Sequence, residues 1–230
     1  MDVISNYQNV AATVRRCAEA AGRDPEEVAL MVVSKTWAAE CILPIVNIGH
    51  SLFGENRIQE ALEKVPALPE NLHWHLIGHL QKNKARKALP LFHVIETVDS
   101  LRLAQQISRI AGELSLTQRI FLQINIGEEP QKAGFTVQAL CEQLAEVLAL
   151  PHLDVAGVMA IPPRGDTPEA SRPHFRALRE CRDDLQSLTG HALPELSMGM
   201  TSDFPIAIAE GATIVRVGSA IFGHRRQFVS

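Results

Sequence analysis

The sequence has little of what marks a secreted, membrane-bound or nucleic-acid-binding protein. Its four cysteines, Cys17, Cys41, Cys141 and Cys181, are widely separated and form no Cys-x-x-Cys pair. That speaks against a zinc site or a disulfide frame, and reduced, packed thiols of a cytoplasmic protein are expected. No apolar run approaches the roughly 18 residues needed to span a membrane. The first residues, Met1-Asp-Val-Ile-Ser-Asn6, carry neither a basic nor an apolar leader region, so no signal peptide is expected. Positive charge is not in excess: the formal net charge is −4, which argues against nucleic acid as a partner. There is no internal repeat, low-complexity tract or linker-like stretch. Tyrosine occurs once, as Tyr7.

What is present is a regular alternation. Hydrophobic residues make up 46% of the 230, enough for one large core or two small ones. After a helix near 5–21, short apolar runs fall near 28–34, 51–54, 73–77, 92–97, 119–126, 153–160, 195–198 and 212–217. Amphipathic stretches separate them, near 38–48, 56–65, 80–88, 99–115, 136–149, 168–189 and 204–211. Asp99 and Thr136 are placed as N-caps of two of these helices. Several strands are apolar on both parities, as in Ala29-Leu-Met-Val-Val33, the pattern of parallel strands covered on both faces. Eight such strands predict an α/β fold: a single (β/α)₈ barrel domain over 1–230 with an extra N-terminal helix. A doubly wound open sheet is the alternative. The loop-like stretch Ile161-Pro-Pro-Arg-Gly-Asp-Thr-Pro168 is a strand-to-helix connection.

Lys35 closes the apolar run Val28–Ser34. An amine buried there would favour its neutral, nucleophilic form, able to join a carbonyl as a Schiff base. The other reading is a lysine snorkelling to solvent. In a barrel the site lies at the C-terminal ends of the strands, with phosphate often bound after strands seven and eight. The seventh is followed by Ser197-Met-Gly-Met-Thr-Ser-Asp203, with Pro205 just inside the next helix, and the eighth by Gly218-Ser219. Such small-residue turns suit an anion, although Ser202 or Asp203 could simply cap the helix. Arg216 interrupts the strand Thr213-Ile-Val-Arg-Val217 and needs a partner, a structural carboxylate or an acceptor on a ligand. An amine, an anion cradle and an inward arginine fit pyridoxal 5′-phosphate.

The chain resembles the pyridoxal phosphate homeostasis proteins, the YggS or PROSC family, whose fold is like the N-terminal barrel of bacterial alanine racemases. The matching segments are Val33-Ser-Lys-Thr36, Phe53-Gly-Glu-Asn-Arg-Ile-Gln-Glu60 and Trp74-His-Leu-Ile-Gly-His-Leu-Gln-Lys-Asn-Lys84. They continue with Asn125-Ile126, Lys132-Ala-Gly134, Gly157-Val-Met-Ala-Ile-Pro162, Ser197-Met-Gly-Met200, Asp203 and Val215-Arg-Val-Gly-Ser-Ala-Ile-Phe-Gly223. The resemblance implies Lys35 as the Schiff-base lysine and Arg216 near the pyridine nitrogen. It also implies Thr201, Gly218 and Ser219 around the phosphate. Met200 and Asn56 complete the expected cofactor contacts. Asn56, three residues before Gln59, also has the pattern of a helix cap. Thr201 stands where the family more often has serine, which keeps the hydroxyl.

His73-x-His75 with His79 could suggest a metal, but no carboxylate or cysteine completes a set nearby, and none is expected. Lys82, Lys84, Arg86 and Lys87 read as a solvated basic helical face. Two functions compete. A racemase-like enzyme needs acid–base groups on both faces of the substrate carbon. The related racemases supply a tyrosine from a second domain for which this chain has no room, and Tyr7 lies in the first helix. An arginine at the ring nitrogen cannot protonate it. The favoured function is therefore a non-catalytic, monomeric carrier in vitamin B6 homeostasis, delivering cofactor to the apo forms of dependent enzymes.

Overall fold

A computed structural model describes residues 2–223. Helix α1 (Val3–Ala20) precedes β1 (Ala29–Val33), α2 (Ala39–Asn47), β2 (Leu52–Glu55), α3 (Ile58–Lys64), β3 (His73–Leu76) and α4 (Ala85–Ala88). Then follow β4 (Val94–Val98), α5 (Leu101–Glu113), β5 (Gln118–Gln123), α6 (Val137–Leu148) and β6 (Leu153–Met159). The chain continues through α7 (Arg172–Thr189), β7 (Glu195–Met200), α8 (Phe204–Ala209), β8 (Ile214–Val217) and α9 (Ser219–Phe222). All eight strands pair in parallel, each with its sequence neighbour, and β8 returns to β1 with Met31 opposite Arg216. The sheet is a closed barrel, as the strand pattern predicts, and not the open alternative. The single-domain expectation over 1–230 includes Met1 and 224–230, which lie outside the described residues.

Apolar residues on both parities serve two cores. The larger lies between sheet and helices and includes Phe53, Trp74, Ile95 and Leu196. The smaller fills the barrel with Met31, Val94, Phe121, Met159 and Ile214. No helix among the described residues is long and apolar enough to cross a membrane.

Local chemistry corrects several details. Thr136 caps α6 through a hydrogen bond from the Ala139 N–H at 3.1 Å. Asp99 does not cap α5; Ser100 does, accepting from the Leu103 N–H. Asn56 is not a cap either, because α3 starts only after Arg57, which supplies no side-chain bond. The basic run forms no single helical face. Lys82–Lys84 is a 3₁₀ turn leading into the one-turn α4, and Arg86 is paired with Glu113.

Candidate functional site

The C-terminal ends of the strands surround a cavity of about 630 Å³. It brings together Lys35, Asn56, Met200, Thr201, Arg216, Gly218 and Ser219, every residue that the sequence nominated. Ile77, Ser171 and the loop Ile161–Pro168 also line it, as do Val33, Ser202 and Asp203. Sequence reasoning did not nominate Ile77 or the loop for the site, because an aliphatic strand end and a proline-rich loop carry no chemical signature.

Strand alternation explains why Lys35 faces inward. Met31 belongs to the barrel core and Val33 lines the cavity, whereas Val32 packs outward. Ser34 continues outward and donates to Glu55 Oε1 at 2.7 Å, so the next residue returns to the cavity. The strand ends in a turn in which the Trp37 N–H donates to the Ser34 carbonyl at 3.1 Å. Thr36, third in that turn, has φ +70°, a conformation normally left to glycine or asparagine. Of the two readings of Lys35, burial does not hold: the residue is exposed, because it projects into an open cavity and not into packed core.

Arg216 is deeply buried, with 3% of its surface exposed. Two residues along β8 and β4 from the apolar pair Ile214 and Val94 come Arg216 and Glu96, which puts both charges in the layer above the barrel core. The guanidinium donates to Ser197 Oγ at 2.7 Å and to the Ala160 carbonyl at 2.9 Å. Ser197 in turn donates to Glu96 Oε2 at 2.6 Å, and His75 Nδ1 lies 2.7 Å from Glu96 Oε1. The structural carboxylate is therefore present, but it reaches Arg216 through a serine. Burial pulls the guanidinium below its ordinary value, and the carboxylates of Glu96 and Asp203 pull it back; arginine stays charged. Glu96 was legible by the signal that picked out Arg216, a charge inside an apolar strand. His75 is occupied in this chain, and no group of metal ligands occurs among the described residues.

The turns after β7 and β8 meet at the cavity's other side. Asp203 fixes the first, accepting from the Met200 N–H at 2.7 Å and from Ser171 Oγ at 3.0 Å. It stands at the α8 N-terminus but makes no capping bond there. Ser219 Oγ donates to Thr201 Oγ1 at 3.1 Å, which joins the two turns. A Cβ on Gly218 would sit 3.0 Å from the Val33 carbonyl, so glycine lets this turn close onto β1. Asn56 lines the cavity, and its Oδ1 is buried without a partner. Its backbone leaves no room at Gly78, where a Cβ would lie 2.1 Å from the Asn56 carbonyl oxygen. Tyr7 is far from this chemistry: its hydroxyl is 3.1 Å from His50 Nδ1, and His50 bonds the carbonyl of Leu52, where β2 begins.

Residues 5–226 match the alanine racemase N-terminal domain family. A pyridoxal phosphate homeostasis protein of Aquifex aeolicus is 40% identical over 227 residues, covering 98% of this chain and 100% of its own. The structure of PipY from Synechococcus elongatus with pyridoxal phosphate bound is 40% identical, with a TM-score of 0.81 over 92% of this chain and 100% of that one. An alanine racemase of Clostridium difficile shares the fold at 16% identity, TM-score 0.74; the match covers 99% of this chain and 58% of the racemase.

Proposed function

The chain belongs to the alanine racemase N-terminal domain family and, within it, to the pyridoxal phosphate homeostasis proteins, and from that membership we propose that it binds pyridoxal 5′-phosphate and serves as a non-catalytic carrier of it. The observation that carries this reading is the convergence, on one cavity, of an amine, a locked arginine and a pair of hydroxyls from two adjoining turns. These residues fit the cofactor: the partnerless Asn56 Oδ1 and the glycine-built turn at Gly218 are features that a packed barrel mouth does not need.

Bound there, the cofactor would supply an aldehyde that condenses reversibly with primary amines, and an electron-poor ring. Lys35 would hold the aldehyde end. Arg216, fixed by Ser197 and the Ala160 carbonyl, would face the ring nitrogen without giving it a proton. Thr201, Gly218 and Ser219 would hold the phosphate, with Met200 and Asn56 as flanking contacts. A ring nitrogen left unprotonated makes the ring a weaker sink for electrons, so carbanion chemistry gains less from it. Racemisation is disfavoured by the place of Tyr7, which cannot reach the cavity from the start of β2. The relatives named for homeostasis and not for an enzymatic reaction point the same way. In this reading the protein acts in the cytoplasm, as a monomer, and passes its cofactor to apo-enzymes.

The test pairs two assays on the loaded protein. It should reactivate an apo-enzyme that needs pyridoxal 5′-phosphate, and it should leave the α-proton of L- and D-alanine unexchanged in heavy water. Failure to reactivate, or Lys35-dependent exchange at the pace of true racemases, contradicts the carrier.

A further inference from the structure

Behind Lys35, on the outer side of the barrel, lies a buried charged group that cofactor binding does not use. Lys64 is 6% exposed and Glu55 is 0% exposed. Lys64 Nζ is paired with Glu55 Oε1 and also donates to the Ser34 carbonyl at 2.9 Å. Glu55 Oε1 further accepts from Ser34 Oγ, while Oε2 is buried without a partner. One turn earlier on α3, Glu60 Oε2 accepts from the Thr36 N–H at 2.6 Å.

Glu60 and Lys64 are four residues apart and thus share one face of α3. Each grips one side of Lys35: Lys64 the carbonyl of Ser34, Glu60 the amide of Thr36. Between them the backbone makes a tight turn with Thr36 at φ +70°, a strained state for a β-branched residue. Strain of this kind persists only where surrounding groups impose it. The pair Lys64 and Glu55, removed from water for a strand end, is an expensive way to close a loop. The placement of Lys64 and the partly exposed Glu60 on the two peptide groups that flank Lys35 gives both a task.

We propose that helix α3 is a clamp for Lys35, in which Lys64 and Glu60 are positioning residues that aim its amine at an aldehyde held in the cavity. The inference rests on the reading of Lys35 as the residue that takes the aldehyde. In that step the neutral Lys35 nitrogen adds to the aldehyde carbon, its two protons pass to the carbonyl oxygen, and that oxygen leaves as water while the carbon–nitrogen double bond forms, with no redox partner needed. The phosphate end is gripped by other elements, β7, β8 and the turns that follow them. The clamp should therefore govern the rate of covalent capture and leave noncovalent affinity untouched.

The experiment separates the two. Lys64→Met and Glu60→Ala are compared with wild type, with Glu60→Gln as the conservative rescue, since its amide oxygen can still accept from Thr36. Affinity is measured for pyridoxine 5′-phosphate, which has the ring and phosphate but no aldehyde. Capture is followed by the absorbance change on mixing with pyridoxal 5′-phosphate. Displacement of a reacting group by about 1 Å can slow a step about 100-fold, so capture should fall about 10- to 100-fold in both variants. Pyridoxine 5′-phosphate should bind as in wild type, and Glu60→Gln should recover most of the rate. Unchanged capture, or capture and affinity falling together, overturns the proposal. Should Lys64→Met fail to fold, Glu60→Ala decides alone, its site being partly exposed. A wild type that captures no aldehyde overturns the functional reading and this one with it, whereas normal wild-type capture beside unchanged variants overturns the clamp only.

Discussion

Ser219 and Thr201 carry the phosphate end of the account on two hydroxyls 3.1 Å apart. A carboxylate placed there should expel a phosphate by like-charge repulsion in a site of reduced dielectric. Ser219→Glu should therefore lose affinity for pyridoxal 5′-phosphate by about 10-fold or more, since each 1.4 kcal/mol is tenfold, while its melting temperature stays near wild type. Equal affinity in a titration would put the cradle elsewhere. At this scale the sequence was legible where chemistry contradicts surroundings, as with Lys35 after an apolar strand and Arg216 inside one. It was misleading where one pattern serves two purposes. Asn56 and Gln59 have the spacing of a capping box, yet α3 begins beyond Asn56, and the amide is left for the cavity. Asp99 and Ser100 are both good caps, and the choice between them depends on backbone angles that composition does not set. Lys64 gave no signal, because one more lysine in an amphipathic helix looks solvated until the strand end behind it is known.

The elements that hold the site are fastened by charge as well as by packing. Arg172, Arg176 and Arg179 lie along one face of α7 and meet Glu210, directly after α8, at 2.9, 3.2 and 3.4 Å. Burial works to raise the Glu210 carboxyl, but hydrogen bonds from Arg176 and Arg172 and the neighbouring charges outweigh it and hold it below its ordinary value. A carboxyl depressed in the folded state adds stability above its unfolded value of about 4.5 and loses it as pH falls through the lower folded value. Glu210→Gln should thus lower unfolding stability at pH 7 by about 1–3 kcal/mol and flatten the decline of stability below that value. Urea melts of both proteins across the acid range check this; coincident curves would mean that the cluster contributes nothing. Element identities were legible because the periodicities of strands and helices differ. The stretch near 80–88 was not read correctly, since a 3₁₀ turn and one turn of α-helix together mimic the length of a single helix.

For the whole molecule, local pattern left two solutions, a closed barrel and an open sheet, since both alternate strand and helix. Closure depends on β8 meeting β1, a pairing of Ala29–Val32 with Ile214–Val217 across most of the chain. No local window contains that information; the count of eight alternating strands favoured closure over the open sheet, and the family resemblance agreed with it. Closure also makes the site, because it brings the turn after β8 against Val33 and sets Lys35 opposite the turns after β7 and β8. The central claim is that this one mouth holds pyridoxal 5′-phosphate through Lys35. Its most direct test is borohydride reduction of the loaded, purified protein, followed by peptide mapping. The account predicts a single reduced pyridoxyl adduct on Lys35 and loss of the visible absorbance in Lys35→Ala, with the fold intact. An adduct on Lys82, Lys84 or Lys132 in its place, or no adduct at all, would contradict it.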